Sequence, residues 1–392
     1  MTPTERRASG SLASIFALRM LGLFLVLPVF ALEARKYPGG EDPALIGMAM
    51  GIYGLTQGLL QIPFGVASDR LGRKRVIIFG LLVFALGGLM AGAADSLTGL
   101  LFGRALQGAG AVSAAVTALL ADLTRDNVRT KAMAMVGASI GLMFAVSLVF
   151  SPLLAAHIGL SGLFVLTAVL AMLGVAVVVW WVPEEPALQK EAARGGLRQV
   201  LANAALLRLN IGVFVLHAVQ LAMWVAIPAF LVQAGLGKDD HWQIYLPAVL
   251  ASFAVMGVVF PMERRGYLRG VFLTAIGLIA LVQMALLWVS SGAPTVLDLA
   301  WLLFAFLCGF NVLEATQPSL VSRIAPASSR GAAMGVYNTL QSLGFFAGGV
   351  MGGRLVKSYG TQGLFLVCAA LILVWLIVAW PMSVPVRARP HN

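Results

Sequence analysis

Gly65-Val66-Ala67-Ser68-Asp69-Arg70-Leu71-Gly72-Arg73-Lys74 is the stretch on which the fold turns. It joins two apolar runs, 45–68 and 76–93. Each run has about the 20 residues that a helix needs to cross a bilayer. The stretch therefore reads as a tight turn at a membrane edge. Gly65 is expected to permit a close helix approach. Gly72 permits the turn itself. Asp69, at the membrane edge, needs a helix N-terminus or a guanidinium as partner. Arg73 offers one, or reaches Asp122 at the end of the fourth run. Gly65, Asp69, Arg70, Gly72, Arg73 and Asp122 thus form a candidate conformational gate.

Composition agrees with a membrane reading. Of 392 residues, 60% are hydrophobic and 11% charged. Soluble domains carry roughly 25% charged residues. The formal net charge of +11 sits in short clusters between apolar runs, which argues against nucleic acid. Cys308 and Cys368 both lie inside apolar runs, so neither a disulfide framework nor metal-ligand spacing is expected, and no cofactor. Arg6 and Arg7 followed by an apolar run mimic a secretion signal. That run, 11–33, is too long and contains Arg19, so it reads as a retained first helix.

Further runs follow at 98–121, 132–154 and 161–182, then at 209–232, 243–262, 270–289, 297–320, 331–352 and 361–380. The expectation is an all-α membrane protein of twelve transmembrane helices in two pseudo-symmetric six-helix bundles. The bundles are residues 1–182 and 209–392, joined by a polar linker at 183–208. Twelve crossings put both termini on one side. Segments on that side hold 20 Lys and Arg; the opposite side holds five, namely Arg35, Lys36, Lys238, Arg354 and Lys357. The positive-inside rule then makes both termini and the linker cytoplasmic, in a cell inner membrane.

The halves share sequence features. Arg129-Thr130-Lys131-Ala132-Met133-Ala134 matches Arg330-Gly331-Ala332-Ala333-Met334-Gly335 at an offset of 201, and Gln107-Gly108 opposes Cys308-Gly309 at the same offset. Asp69-Arg70-Leu71-Gly72 matches Glu263-Arg264-Arg265-Gly266 at an offset of 194. Repeated halves are a transporter signature, with substrate near the midplane between them.

The turn quoted above resembles the hallmark loop of the major facilitator superfamily, Gly-x-x-x-Asp-Arg-x-Gly-Arg-Lys. Leu21-Gly22 with Pro28-Val29 resembles the first-helix motif of its twelve-helix drug–proton antiporters. Arg104-Ala105-Leu106-Gln107-Gly108-Ala109-Gly110 is similar to their fourth-helix motif. The fifth-helix motif is altered: Ala138, Ser147 and Ser151 fill its glycine positions, and Pro152 remains. The pattern as a whole resembles the YajR-type efflux transporters. It includes Arg19-Met20-Leu21-Gly22, Gly51-Ile52-Tyr53-Gly54-Leu55-Thr56-Gln57 and Asp122-Leu123-Thr124-Arg125. Such transporters carry a soluble domain after the last helix, which is expected to be lacking because the sequence ends at Asn392. The resemblance implies a monomer and implicates Arg104 in proton coupling.

Charges inside spans cost roughly 2.5–3.5 kcal/mol each at a helix centre and usually face a wet cavity or each other. Arg19 lies about 12 Å into the first run at 1.5 Å per residue. Arg104 lies in the fourth run, on one face with Gln107. Glu314, in the tenth run, is the acid most clearly inside a span. Apolar surroundings favour the neutral form of a carboxyl, which suits it to carry a proton. Asp122, Glu33 and His217 are alternative proton sites. Arg19, Tyr53, Gln57, Gln61, Gln107, Gln220, Trp224, Asn311, Tyr337 and Gln341 are candidates for a substrate cavity. Stripes such as 53, 57, 61 and 337, 341 serve either a cavity or a helix–helix seam.

The expected function is secondary transport by alternating access, with protons, lipid and a small-molecule substrate as partners. Proton-coupled efflux of amphiphilic compounds leads; symport or facilitated passage of a neutral or anionic metabolite is the alternative. An enzyme is not expected, since the four histidines are scattered and no His-Glu-x-x-His occurs. A receptor is not expected, because the longest loop is the linker.

Overall fold

The computed structural model describes residues 1–185, 197–262, 267–292, 294–326 and 329–382. Lys190, Arg194, Arg264, Arg265, Arg387 and Arg389, and linker residues 186–196, lie outside the described residues. The helices are α1 (Pro3–Glu33), α2 (Pro43–Leu71), α3 (Arg73–Gly92), α4 (Leu97–Ala109), α5 (Ser113–Asp122) and α6 (Asp126–Trp180). They continue with α7 (Leu197–Ala202), α8 (Ala204–Gln233), α9 (Trp242–Met262), α10 (Leu268–Val289), α11 (Val296–Ile324) and α12 (Arg330–Ala379). No strand occurs among the described residues. Lipid offers the backbone no hydrogen bonds, so a spanning chain must satisfy its own.

Helix starts depart from the apolar runs because capping groups, not apolarity, begin a helix. Thr2 and Glu5 form a reciprocal capping box that starts α1 well before residue 11. The Asn203 side-chain Oδ1 accepts from the N–H of Ala205 and Leu206 and starts α8 five residues before the predicted 209.

Among the described residues, ten stretches are long and apolar enough to cross a membrane, with α4 and α5 sharing one. Two of them, in α6 and α12, span 50 and 49 residues, more than twice the needed length. Both double back. In α6, Ser139 donates to the Ala13 carbonyl and Ser151 to that of Leu25, so this arm runs alongside α1. Thr167 then lies on Gly22, and the Trp181 carbonyl accepts from Arg7, so the second arm returns. The reversal is at Gly159, with φ 64° and ψ −176°. In α12, Gly344, Gly348 and Gly352 climb α8 on Phe214, Ala218 and Ala222. Phe365 then packs on Phe230 and Trp375 on Gly212, and the reversal is at Gly360, φ 68° and ψ −171°. That backbone region is essentially restricted to glycine. The two reversals are 201 residues apart, and Gly159-Leu160-Ser161-Gly162-Leu163-Phe164 parallels Gly360-Thr361-Gln362-Gly363-Leu364-Phe365. It adds a further match at the 201-residue offset that relates Arg129 to Arg330 and Gln107 to Cys308.

The molecule has two ends: one with the N-terminus, and a distal one with residues 33–43, 234–242 and 360. Near the distal end, α2 and α12 meet backbone to backbone. A Cβ on Gly47 would collide with the Gly349 carbonyl, and one on Gly353 with that of Pro43. Small residues are what allow such an approach. Ion pairs flank the seam: Glu33 with Lys36 at 2.5 Å and Lys238 at 2.9 Å, and Asp42 with Lys357 at 2.9 Å. Toward the N-terminal end, Gly137 and Gly141 of α6 and Gly331 and Gly335 of α12 face open space.

Gly47→Val should wedge the α2–α12 seam, destabilise the purified protein by about 1–3 kcal/mol and raise labelling of distal-end cysteines. Gly137→Ala, facing open space, should do neither. The Asp42 carboxyl is held below its ordinary value chiefly by its hydrogen bond to Lys357, then by the Ala44 N–H. This pair therefore stabilises the closed distal end above the ordinary carboxylate value, and the contribution is lost as pH falls through the lowered one. Distal-end labelling should stay flat down to about pH 4. It should then rise severalfold at most, as for an exposed pair. Asp42→Asn should abolish that rise.

Candidate functional site

The fourth predicted span is broken where the polar residues gather. α4 ends at Ala109 and α5 begins at Ser113. Gly110, Ala111 and Val112 carry non-helical turns, and a Cβ on Gly110 would strike the Gly80 carbonyl of α3. Irregular backbone at membrane depth is tolerated only inside protein or along a cavity, and broken helices point to binding sites in transporters.

Arg19 reaches this break. Its Nη1 donates to Ser113 Oγ at 2.8 Å, and its Nη2 to Tyr53 Oη at 2.7 Å and the Gly110 carbonyl at 3.4 Å. Its side chain is buried, 5.7 Å from the centre of the Phe84 ring. Arg104 approaches Tyr53 from the other side, 5.2 Å from its ring centre and 6.0 Å from that of Phe30. It donates to the carbonyls of Met50 at 3.1 Å and Ala49 at 3.4 Å. Tyr53 is thus wedged between two buried guanidiniums. Gln107, one turn on from Arg104, donates to Thr167 at 2.9 Å. Gln61 is buried with neither amide atom bonded, and Gln57 is half-buried on the same helix.

A second cluster lies on α8, α11 and α12. His217 Nδ1 is 2.9 Å from the Val213 carbonyl, so Nδ1 carries a proton and Nε2 is the open position. Gln341 Nε2 lies 2.8 Å from His217 Nε2 and 3.2 Å from Glu314 Oε1. Glu314 Oε2 is buried, makes no hydrogen bond and stands 3.3 Å from His217 Nε2. With Nδ1 protonated, the two amide hydrogens of Gln341 go to the His217 Nε2 lone pair and to Glu314 Oε1. Asn311, one turn before Glu314, donates to Ser252 at 2.9 Å. Tyr337, one turn before Gln341, is buried with its hydroxyl unpartnered. Trp224 is buried and packs T-shaped against Tyr245 at 5.5 Å, and Gln220 is buried one turn away.

Phe345 separates the clusters. Its ring lies 4.9 Å from that of His217. It also lines a small pocket with Leu23, Leu27, Met50, Tyr53, Gly54, Arg104 and Leu221. Sequence reading missed Phe345, because a phenylalanine in an apolar run carries no signal. Ser113 and the break at Gly110 carried a weak one, in the cluster of small residues 108–111.

The remaining candidates lie at the ends. Asp69 pairs with Arg73, whose Nε donates to Asp122 at 3.0 Å and whose Nη1 donates to Ser68 at 2.7 Å. Gly72 has φ 98°, as its turn requires. Arg70 is exposed. Gly65 differs from expectation: a Cβ there would meet Ala114 at an ordinary 3.6 Å, so it is not a site of close approach. Tight contacts fall instead at Gly80 of α3, where a Cβ would strike Val112 of the break in the fourth span and the Phe64 ring of the second. Glu33 is at the distal end, engaged by Lys36 and Lys238.

Comparison with known proteins bears on the family and the fold. The family model described as Major Facilitator Superfamily matches residues 12–348 and 261–392. The chain is 44% identical over 390 residues to the "Inner membrane transport protein YajR" of Escherichia coli (strain K12), covering 98% of this chain and 85% of that one. It is 26% identical over 365 residues to the "Multidrug resistance protein MdtH" of Aeromonas salmonicida, covering 88% and 86%. Its fold superposes on the crystal structure of an auto-inhibited peptide transporter of the POT family with a TM-score of 0.76. That match has 14% identity and covers 98% and 99% of the two chains. The chain is a multi-pass membrane protein and belongs to the major facilitator superfamily of transporters.

Proposed function

We propose that the protein exports small amphiphilic compounds across the inner membrane by alternating access, driven by inward movement of protons. The observation that carries this reading is the placement of a titratable cluster, His217–Glu314–Gln341, against the pocket through the ring of Phe345. Two six-helix halves, 1–182 and 209–392, provide twelve crossings and rock about this centre. The reversals at Gly159 and Gly360 support that division. Both termini are cytoplasmic, which makes the distal end periplasmic and the conformation seen here closed to the periplasm.

The cycle follows from the chemistry. Without an added proton, the Gln341 amide donates to both the His217 lone pair and the Glu314 carboxylate and holds α11 to α12. A proton taken up on Nε2 removes that acceptor and pairs His217 with Glu314 directly, so Gln341 must let go of the ring. That change loosens or tightens α12, the helix that also supplies the glycine seam. The relatives named for multidrug resistance and the intact Asp69–Arg73–Asp122 gate support export.

The test is substrate-evoked proton flux in proteoliposomes with an internal pH dye. Glu314→Gln should remove the flux while solute counterflow persists, and His217→Gln should reduce it by tenfold or more (about 1.4 kcal/mol). Undiminished flux in both variants would move coupling to another group. Counterflow without flux in the unaltered protein would make it a facilitator.

A further inference from the structure

We infer that the pocket beside Arg104 takes the anionic head of an amphiphilic substrate, a carboxylate or similar oxyanion, with the apolar body against Leu23, Leu27, Leu221 and Phe345. This rests on the proposed reading of that pocket as the substrate site.

Charge is the first argument. Arg19 and Arg104 are 1% and 2% exposed, yet every acceptor they reach is neutral: Ser113, Tyr53 and the carbonyls of Gly110, Ala49 and Met50. Among the described residues no acid pairs with either. Glu314 faces His217, and Glu33, Asp42, Asp69 and Asp122 are taken by lysines or Arg73. Two cations in apolar surroundings without a counter-charge are costly, and an entering anion would relieve that cost.

Geometry is the second argument. Arg104 uses Nε and Nη2 on α2 carbonyls, and its Nη1 has no hydrogen bond among the described residues while the side chain lines the pocket. A guanidinium presents its donors in a rigid plane, so the idle Nη1 is aimed beside the bonded Nη2. Arg19 Nε is buried and unpartnered. The pocket walls are otherwise apolar. A carboxylate there gains a charge-assisted hydrogen bond, a quaternary ammonium meets two like charges, and a neutral head gains little.

The test compares three ligands that share one aromatic–alkyl body and end in carboxylate, primary amide or quaternary ammonium. Binding to the purified full chain is measured by calorimetry and thermal shift. The carboxylate should bind about tenfold or more tighter than the amide, and the ammonium weakest. Arg104→Gln should erase the carboxylate preference, and Arg104→Lys should keep part of it. Equal binding of all three, no measurable binding, tightest binding of the ammonium, or a preference that survives Arg104→Gln would each overturn the inference. If Arg104→Gln does not fold, the ligand series on the unaltered protein decides alone. Binding requires no proton movement, so the two readings fail separately. A carboxylate preference without proton flux overturns coupling only. Flux evoked by the ammonium without that preference overturns the anion site only.

Discussion

A guanidinium keeps its charge in any surroundings, so Arg19 and Arg104 dictate the polar architecture around them. Arg19 needs acceptors on α2 and at the α4–α5 break, and it finds Tyr53, Ser113 and Gly110 there. Arg104 needs acceptors on α2 and takes the Ala49 and Met50 carbonyls. The two residues therefore tie α1, α2, α4 and α5 into one frame, with Tyr53 as the shared strut. Apolar packing between helices in lipid lacks the driving force it has in water, so ties of this kind weigh more.

The cations sit on one side of Phe345, and the acid–base pair on the other. α12 carries Gln341, which bonds both members of that pair. It carries Phe345, which walls the pocket, and Gly349 and Gly353, which close the seam on α2. One helix thus touches the His217–Glu314 pair, the pocket and the α2 seam. Its glycines let it lie against α2 backbone to backbone, without interlocking side chains.

Much of this was legible beforehand. The apolar runs, the asymmetry of basic residues and the Asp69–Arg73 turn led to the membrane fold and the family. Arg19, Arg104, Glu314 and His217 stood out because ionisable groups inside spans are rare and seldom idle. Other features were misplaced or unseen. Gly65 read as a close-packing glycine, but a glycine's neighbours depend on how the next helix bends. Glu33 and Asp122 were alternatives to Glu314 as proton sites; the fold puts Lys36 and Lys238 on Glu33 and Arg73 on Asp122. The interruption of the fourth span at Gly110 left only a weak trace, the small residues 108–111, because such residues also occur inside packed membrane helices.

Sequence by itself determined which segments lie in lipid, since hydrocarbon admits only long apolar helices with rare charges, and that rule acts residue by residue. It also determined where the chain turns back, because only glycine tolerates the backbone of Gly159 and Gly360. Tertiary structure alone decided partnership. Glu314 meets His217 and Gln341 across three helices, and Tyr53 comes between two arginines 85 residues apart in sequence. No local pattern encodes those meetings. They follow from which faces the helices bury against each other, and burial there is settled by packing over the whole bundle.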